Sequence, residues 1–464
     1  MPRTIVCTTD PALFPYQSRV QYVLDTLNAH PLMQATTCRW AWAPAGAKLP
    51  ENALHYHYGL TPPSYPFDGF IQADIPLLAA GPGKSVTPSL QFFLKENLYG
   101  ISSYLIEKQN INSFFQKENR TYSTDWIAGM FFTLSRAEEY FTGEKDDIGL
   151  VPGAVLFAVK NNIHTRPILD EWAAWLAGHI QGKPIQIATA ISTSHDLDTL
   201  DFMGKDFRLL RYLGGSALRY RTIRQWPGII SDYIGVKTGR RKDPADTFDW
   251  LLKMHPGTEK YLFLGTGIAA PQDTFPDLRR PAMARIRDMA REEGYSIGFH
   301  PGYATWKGAR QWQSERQQLE DWLGAPVTHS RQHFLRMAFP DTLDILEQSG
   351  IKTDHSLGFR RHIGFRCGTG FAYFLYNFKQ EKAFQWQEQP LALMDIALLR
   401  EAGFDKKNLL KIWSDFFHQN QYNTHIALDF HNPGCYEPQR AGLPLLTLYQ
   451  QLFHAHAAVF PHPL

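Results

Sequence analysis

The chain has 464 residues, 44% of them apolar, 20% charged and 14% aromatic, and carries a formal net charge of +2. That length favours two domains over one, and a charge so near neutral argues against nucleic acid or an anionic membrane as a partner. The four cysteines, Cys7, Cys38, Cys367 and Cys435, form no CxxC pair, which excludes a cysteine-rich zinc knuckle and speaks against a disulfide framework.

The first residues, MPRTIVCTTDPALF, are broken by Asp10 and Pro11 before an apolar run of signal-peptide length develops. No apolar stretch approaches the ~20 residues of a bilayer span. The expectation is a cytoplasmic protein with no membrane span. TIVCT reads as a strand and QSRVQYVLDTLNAH as a helix. From Pro44 to Pro88 proline and glycine mark loops with short strands, ALHYHYG and FDGFIQA. DWIAGMFFTLSRAEEYF, Asp125 to Phe141, repeats its apolar residues at helical spacing and predicts a buried helix, and ILDEWAAWLAGHI after Pro167 predicts another. Residues 1–182 thus read as a smaller mixed α/β domain, with no catalytic constellation of its own.

From about Lys183 strand-like runs alternate with amphipathic helices. IQIATAIS, KYLFLG, YSIGFH, PVTHSRQHFLR, HIGFR, LALMD and HIALDFH are the strand-like runs. PAMARIRDMAREEG, SERQQLEDWLG, PDTLDILEQSG and a closing LPLLTLYQQLFHAHAAVF are the helices. FAYFLYNF, Phe371 to Phe378, reads as a core strand. Repeated β–α alternation predicts an α/β fold with a parallel (β/α) barrel over residues 183–464, whose active site gathers at the C-terminal strand ends.

Those ends carry a consistent chemistry. SHDLD supplies Asp196 and Asp198, IGFHPGY supplies His300, and HSRQHFLR supplies His329 and His333. GFRCGTG supplies Arg366, LALMD supplies Asp395, and LDFHNPG supplies His431. This is the inventory of a mononuclear metal hydrolase: imidazole and carboxylate ligands around an ion with an open position, a second carboxylate as base, and a histidine as acid. A divalent ion lowers the pKa of its water, and a donor at the site stabilises the oxyanion that forms on attack at a carbonyl. Each residue also has a plainer role: the acids in an Asx turn, the histidines as loop hydrogen-bond donors, Arg366 in a structural ion pair. His355, His362 and His425 read as structural, Cys367 and Cys435 as small buried hydrophobes, and GRRKD, Gly239 to Asp243, as a solvated loop.

The segment from Lys183 onward resembles the polysaccharide deacetylase superfamily, carbohydrate esterase family 4, in SHDLDT, IGFHPGY, SRQHFLR, TDHSLGF, GFRCGT and LDFH taken in order. The whole chain resembles a bacterial branch in which an uncharacterised α/β domain, here marked by DWIAGMFFTLSRAEEY, precedes the barrel. The resemblance implies a distorted NodB-type barrel, a carbohydrate substrate that loses an acyl group, and a zinc or other divalent transition ion. It implies Asp196 as base and Asp198 as ligand, although Leu197 separates them where the family has adjacent acids, which leaves the reverse assignment open. It implies His300 as the first histidine ligand. Ala304 stands where the second would be, so His333 is taken as its replacement, with the His329–His333 pair as the alternative. It gives Arg366 the task of orienting Asp196 and His431 that of general acid, with Asp395 as charge partner of Arg366 or His431. Two rival readings are a metal-dependent hydrolase of a non-carbohydrate amide and a carbohydrate-binding barrel without turnover.

Overall fold

The computed structural model of the protein describes residues 3–36, 38–50, 52–60, 69–73, 78–79, 120–122, 125–201, 226–243, 245–253 and 259–432. The chain divides into two compact units. The first holds residues 1–189, 365–388 and 422–424, and the second holds 190–364, 389–421 and 425–464. The expected final helix and Cys435 lie outside the described residues.

In the first unit the strands β1 (Arg3–Thr9), β2 (Cys38–Pro44), β3 (Leu54–Gly59), β4 (Gly69–Gln72) and β5 (Arg120–Tyr122) form a five-stranded sheet in the order β2-β1-β3-β4-β5. Every adjacent pair is parallel. Ile5, Val6 and Cys7 are all buried, as expected of a strand covered on both faces. The helix Gln17–Ala29 turns Val20, Val23, Leu24 and Leu27 into the core, the i, i+3, i+4, i+7 spacing of one helical face. The expected helix over Asp125–Phe141 is two helices, Trp126–Leu134 and Ala137–Phe141. The break falls at Arg136, whose φ of 57° lies in the left-handed region.

The second unit is built on β6 (Ala190–Leu197), β7 (Glu259–Leu264), β8 (Ser296–Phe299), β9 (His329–Ser330) and β10 (Thr353–Asp354). The chain then gives the first unit an antiparallel pair, β11 (Tyr373–Asn377) and β12 (Lys382–Glu388). It returns to the second unit for β13 (Leu393–Met394) and β14 (His425–Asp429). The strand order there runs β10-β9-β8-β7-β6-β14-β13, with parallel pairing at each step. The protein is therefore a mixed α/β structure with a large, mostly parallel sheet. Residues 191–197 of the central strand β6 are all buried. HIGFR, expected as a strand, is instead a run of bends and turns: Ile363 and Gly364 bond to the Glu401 carboxylate and the Ala392 carbonyl rather than to a ladder. LALMD gives only the two-residue β13 before Asp395 opens the helix Asp395–Glu401. Among the described residues no helix is long and apolar enough to cross a membrane.

One buried carboxylate ties three segments of the first unit together. Asp170 accepts from the Thr369 hydroxyl, the Gly370 amide and the Thr424 hydroxyl, and pairs with His30 Nε2 at 3.1 Å. Asp170→Ala orphans these buried donors, at a cost of roughly 1–3 kcal/mol each before relaxation. Urea unfolding is expected to show a loss of at least about 2 kcal/mol. A variant as stable as wild type would remove Asp170 from this role.

Candidate metal centre

Strand geometry explains the spacing of the two acids that follow His195. Side chains alternate across a strand, so residues two apart share a face. Ser194, Asp196 and Asp198 therefore project together from β6 and its end, while His195 points the other way, to the Phe430 carbonyl and Tyr295. Adjacent acids on an extended strand would point to opposite faces.

Asp198 meets His300, which follows β8, and His333, in the turn after β9. Asp198 Oδ1 lies 3.5 Å from His300 Nε2 and 3.6 Å from His333 Nε2. Ligands of a tetrahedral zinc-like ion stand about 3.4 Å apart. The donor atoms of the three residues all lie within 4.8 Å of one another. Asp198 Oδ1 and His300 Nε2 are buried and have no hydrogen-bond partner. The other ring nitrogens are committed: His300 Nδ1 to the Arg331 carbonyl at 2.6 Å and His333 Nδ1 to Asp273 Oδ1 at 3.1 Å. Such outer contacts fix the tautomer and leave Nε2 as the donor atom. One carboxylate oxygen and two imidazole nitrogens, held this way, fit a divalent transition ion.

The backbone beside His333 is strained. Phe334 and Leu335 have φ values of 62° and 53°, a conformation that costs a non-glycine residue on the order of 1–3 kcal/mol. The turn is held from both sides. The Gln332 amide donates to Ser356 Oγ, and Leu335 packs with Leu391, Met394, Ala397 and Ala427.

Asp196 faces the same space from the other side. Its Oδ2 lies 3.7 Å from His300 Nε2 and 3.8 Å from His431 Nε2. Its Oδ1 accepts from Arg331 Nη1 at 2.9 Å, and the same nitrogen donates to Asp429 Oδ1 at 2.7 Å. Burial opposes ionisation of Asp196, but Arg331, His300 and His431 outweigh it and hold the group below the usual carboxylate range. Burial is likewise outweighed at Asp198, by His300 and the neighbouring imidazoles. Asp429 goes the other way: burial, and then the negative Asp196, push it up to about 7. His431 Nδ1 pairs with Asp395 Oδ1 at 2.9 Å, and the His431 amide donates to Asp395 Oδ2. Burial disfavours the imidazolium, yet Asp395 and Asp429 raise His431 well above its ordinary value.

The structure thus brings Asp196, Asp198, His300, His333 and His431 together, with Asp395 paired to His431. Arg366 belongs to the first unit. Arg366 Nε and Nη2 donate to Glu139 at 3.0 and 2.5 Å, and Nη2 also to the Val151 carbonyl at 3.3 Å. Glu139, bound also by Arg136, is held down to about 2: burial raises it, but the two guanidiniums prevail. The guanidinium on Asp196 is Arg331's. His329, the alternative ligand, turns its Nδ1 to His355 Nε2 at 3.2 Å, and its ring lies on Tyr261. Burial pushes the Cys367 thiol up to about 12, far from a nucleophile's range.

Arg331, Asp429 and Asp273 had no place in the sequence reading. Asp429 could have been found, because D-F-H repeats the i, i+2 spacing of D-L-D at another strand end. Arg331 sits inside SRQHFLR, two residues before His333. Asp273 lies in a loop and carries no periodic signal. Among known proteins, residues 79–184 match a family of unknown function, DUF7033. No curated protein matches the chain.

The raised Asp429 predicts a pH dependence. The folded state holds this proton more tightly than the unfolded chain, so the contribution is full below about pH 4, the unfolded carboxyl value. It is lost as pH rises to about 7. Melting temperatures measured with chelator between pH 4.5 and 7.5 are expected to fall more steeply in wild type than in Asp429→Asn. Equal slopes would show that Asp429 titrates normally.

Proposed function

We propose that the second unit is a distorted (β/α) barrel of polysaccharide-deacetylase type and that the protein is a metal-dependent hydrolase removing an acyl group, acetyl, from a carbohydrate. The observation that carries this is the meeting of Asp198, His300 and His333, the first two with unpartnered donor atoms, beside a carboxylate lowered below its usual range and a histidine raised well above its own. The barrel reading is supported by the segment before β13. The Gln389 amide donates to the Asp354 carbonyl of β10, the Leu391 amide to Leu357, and the Ala392 amide to the Ala427 carbonyl of β14. This one segment reaches both flanks of the parallel sheet. A cytoplasmic location remains part of the proposal.

Asp198, His300 and His333 would hold a zinc or similar divalent ion, which when bound supplies Lewis acidity and a water of lowered pKa. Asp196 is the base. Its Oδ1 is taken by Arg331, so Oδ2 receives the proton, and the guanidinium keeps the group ionised until it does. His431 is the acid. Asp395 fixes its Nδ1–H and stabilises the imidazolium, leaving Nε2–H to protonate the departing amine or alkoxide. Asp196 Oδ2 and His431 Nε2 are 3.8 Å apart, so one substrate atom pair lies within reach of both. Arg331 is a positioning residue and acts through Asp196.

Elemental analysis tests the centre. Wild type is expected to carry about one transition metal per chain, as three protein ligands and an open position imply, and Asp198→Ala and His300→Ala are expected to lose it. Metal-loaded wild type is expected to release acetate from an N-acetylated glucosamine oligosaccharide, and His431→Ala is expected to slow this by roughly 10²–10⁴-fold, the worth of a general acid. Wild type without metal after dialysis against excess zinc would end the hydrolase reading.

A further inference from the structure

We infer that Asp196, Asp429 and His431 form a second cation site, and that a divalent transition ion taken up there in excess stops turnover by occupying the base and the acid together. The blocking role rests on the hydrolase reading above; the site itself does not. Two neighbouring strands supply it. β14 runs parallel to β6, and each ends in a pair of ionisable residues two apart, Asp196 and Asp198 on one, Asp429 and His431 on the other. One donor atom from each of Asp196, Asp429 and His431 lies within 4.8 Å of the other two. Asp429 is 0% exposed, and its Oδ2 is buried without a hydrogen-bond partner. A buried carboxylate oxygen left unmatched is costly. Arg331 does not match it, because Nη1 takes Oδ1 of Asp429 and Oδ1 of Asp196. His431 Nδ1 stands 3.5 Å from Asp429 Oδ2 but is turned to Asp395. A cation in the cluster would match it.

The histidine is prepared as the ligating ones are. His300 and His333 each turn Nδ1 to an oxygen acceptor, which leaves Nε2 as the donor atom, and Asp395 does the same for His431. His431 Nε2 stands 3.8 Å from Asp196 Oδ2, a separation spanned by one ion bonded to both at about 2 Å. Two carboxylates and an imidazole suit a divalent transition ion. This is the weaker of the two sites. It offers one imidazole where the first offers two, and the Arg331 guanidinium on both carboxylates repels a cation next to them. The first site therefore fills first. Asp196 Oδ2, 3.7 Å from His300 Nε2, faces both. An ion bonded to Asp196 Oδ2 leaves that atom unable to accept a proton. An ion bonded to His431 Nε2 displaces to solvent the proton that the leaving group needs. One extra ion thus removes both proton-transfer groups and leaves Asp198, His300 and His333 in place.

Zinc is titrated into metal-free protein, and bound metal is read by equilibrium dialysis. Wild type is expected to bind two zinc ions, the second more weakly than the first. Loss of an outer contact alone costs a metal site about 10–100-fold. Asp429→Asn, which removes a ligand's charge, and His431→Ala, which removes a ligand, are therefore expected to weaken the second ion at least about tenfold and to keep the first. Asp198→Ala is expected to lose the first and keep the second. One zinc per chain in wild type at millimolar zinc, or a second zinc that neither variant weakens, would overturn the site. Anomalous diffraction from zinc-soaked wild-type crystals needs no variant: a peak bonded to Asp196, Asp429 and His431 is expected, and its absence there would overturn the site. Acetate release from an N-acetylated glucosamine tetrasaccharide is expected to rise with the first zinc and fall as the second binds. Undiminished release with both ions bound would overturn the blocking role. Both ions bound as expected, with no release at any zinc level, would end the hydrolase reading and leave the site standing. Release with one zinc and no second ion would overturn the site and leave the hydrolase standing.

Discussion

Arg331 holds the second unit's chemistry together with four different groups of one residue. Its amide donates to the Phe299 carbonyl of β8 at 2.9 Å, and its carbonyl receives His300 Nδ1. Its Nη1 bridges Asp196 and Asp429, and its Nε donates to the His355 carbonyl at 3.1 Å. The side chain is 1% exposed, with the guanidinium 4.4 Å from the Phe263 ring centre. A buried guanidinium is tolerated only with its charge and donors matched, since desolvation costs several kcal/mol per ion. Asp196 and Asp429 provide that match. In return the cation keeps Asp196 ionised, turns its Oδ2 toward the ligand cluster, and through the backbone sets which nitrogen of His300 is the donor atom.

The consequence is a division of labour among groups of similar type. Asp196 and Asp198 are held below the ordinary carboxylate range, Asp429 is raised to about 7, and His431 is raised well above its ordinary value. The same low-dielectric interior does all of this. What differs is which influence prevails: Arg331 and imidazoles over burial at the first two acids, burial and Asp196 over Arg331 at the third, and Asp395 over burial at the histidine. Groups whose pKa values are driven apart in this way are equipped to give and take protons at one pH.

The first unit is stabilised by other buried ions, and they engage the arginine of GFRCGT. Glu139 sits between Arg136 and Arg366, and Asp170 gathers Thr369, Gly370 and Thr424. Residues 365–388 belong to this unit. Arg366 and Cys367 are therefore part of its interior, although they lie between segments of the other unit in sequence.

Local pattern was enough to determine much of this protein. The i, i+3, i+4, i+7 spacing marks the helix at Gln17–Ala29, and the apolar runs mark β1, β6, β7 and β8. D-x-D at the end of a buried strand puts two acids on one face whatever the rest of the chain does. His300 and His431, each just past a strand, could be named for the same reason. Partnership was beyond the sequence. Which arginine meets Asp196, which of two histidines in HSRQH turns inward, and where Asp395 spends its charge depend on strands tens or hundreds of residues apart. Only the tertiary structure decided these, because a buried charge takes the opposite charge that the fold brings within about 3 Å, and periodicity along one strand carries no record of its neighbour's register.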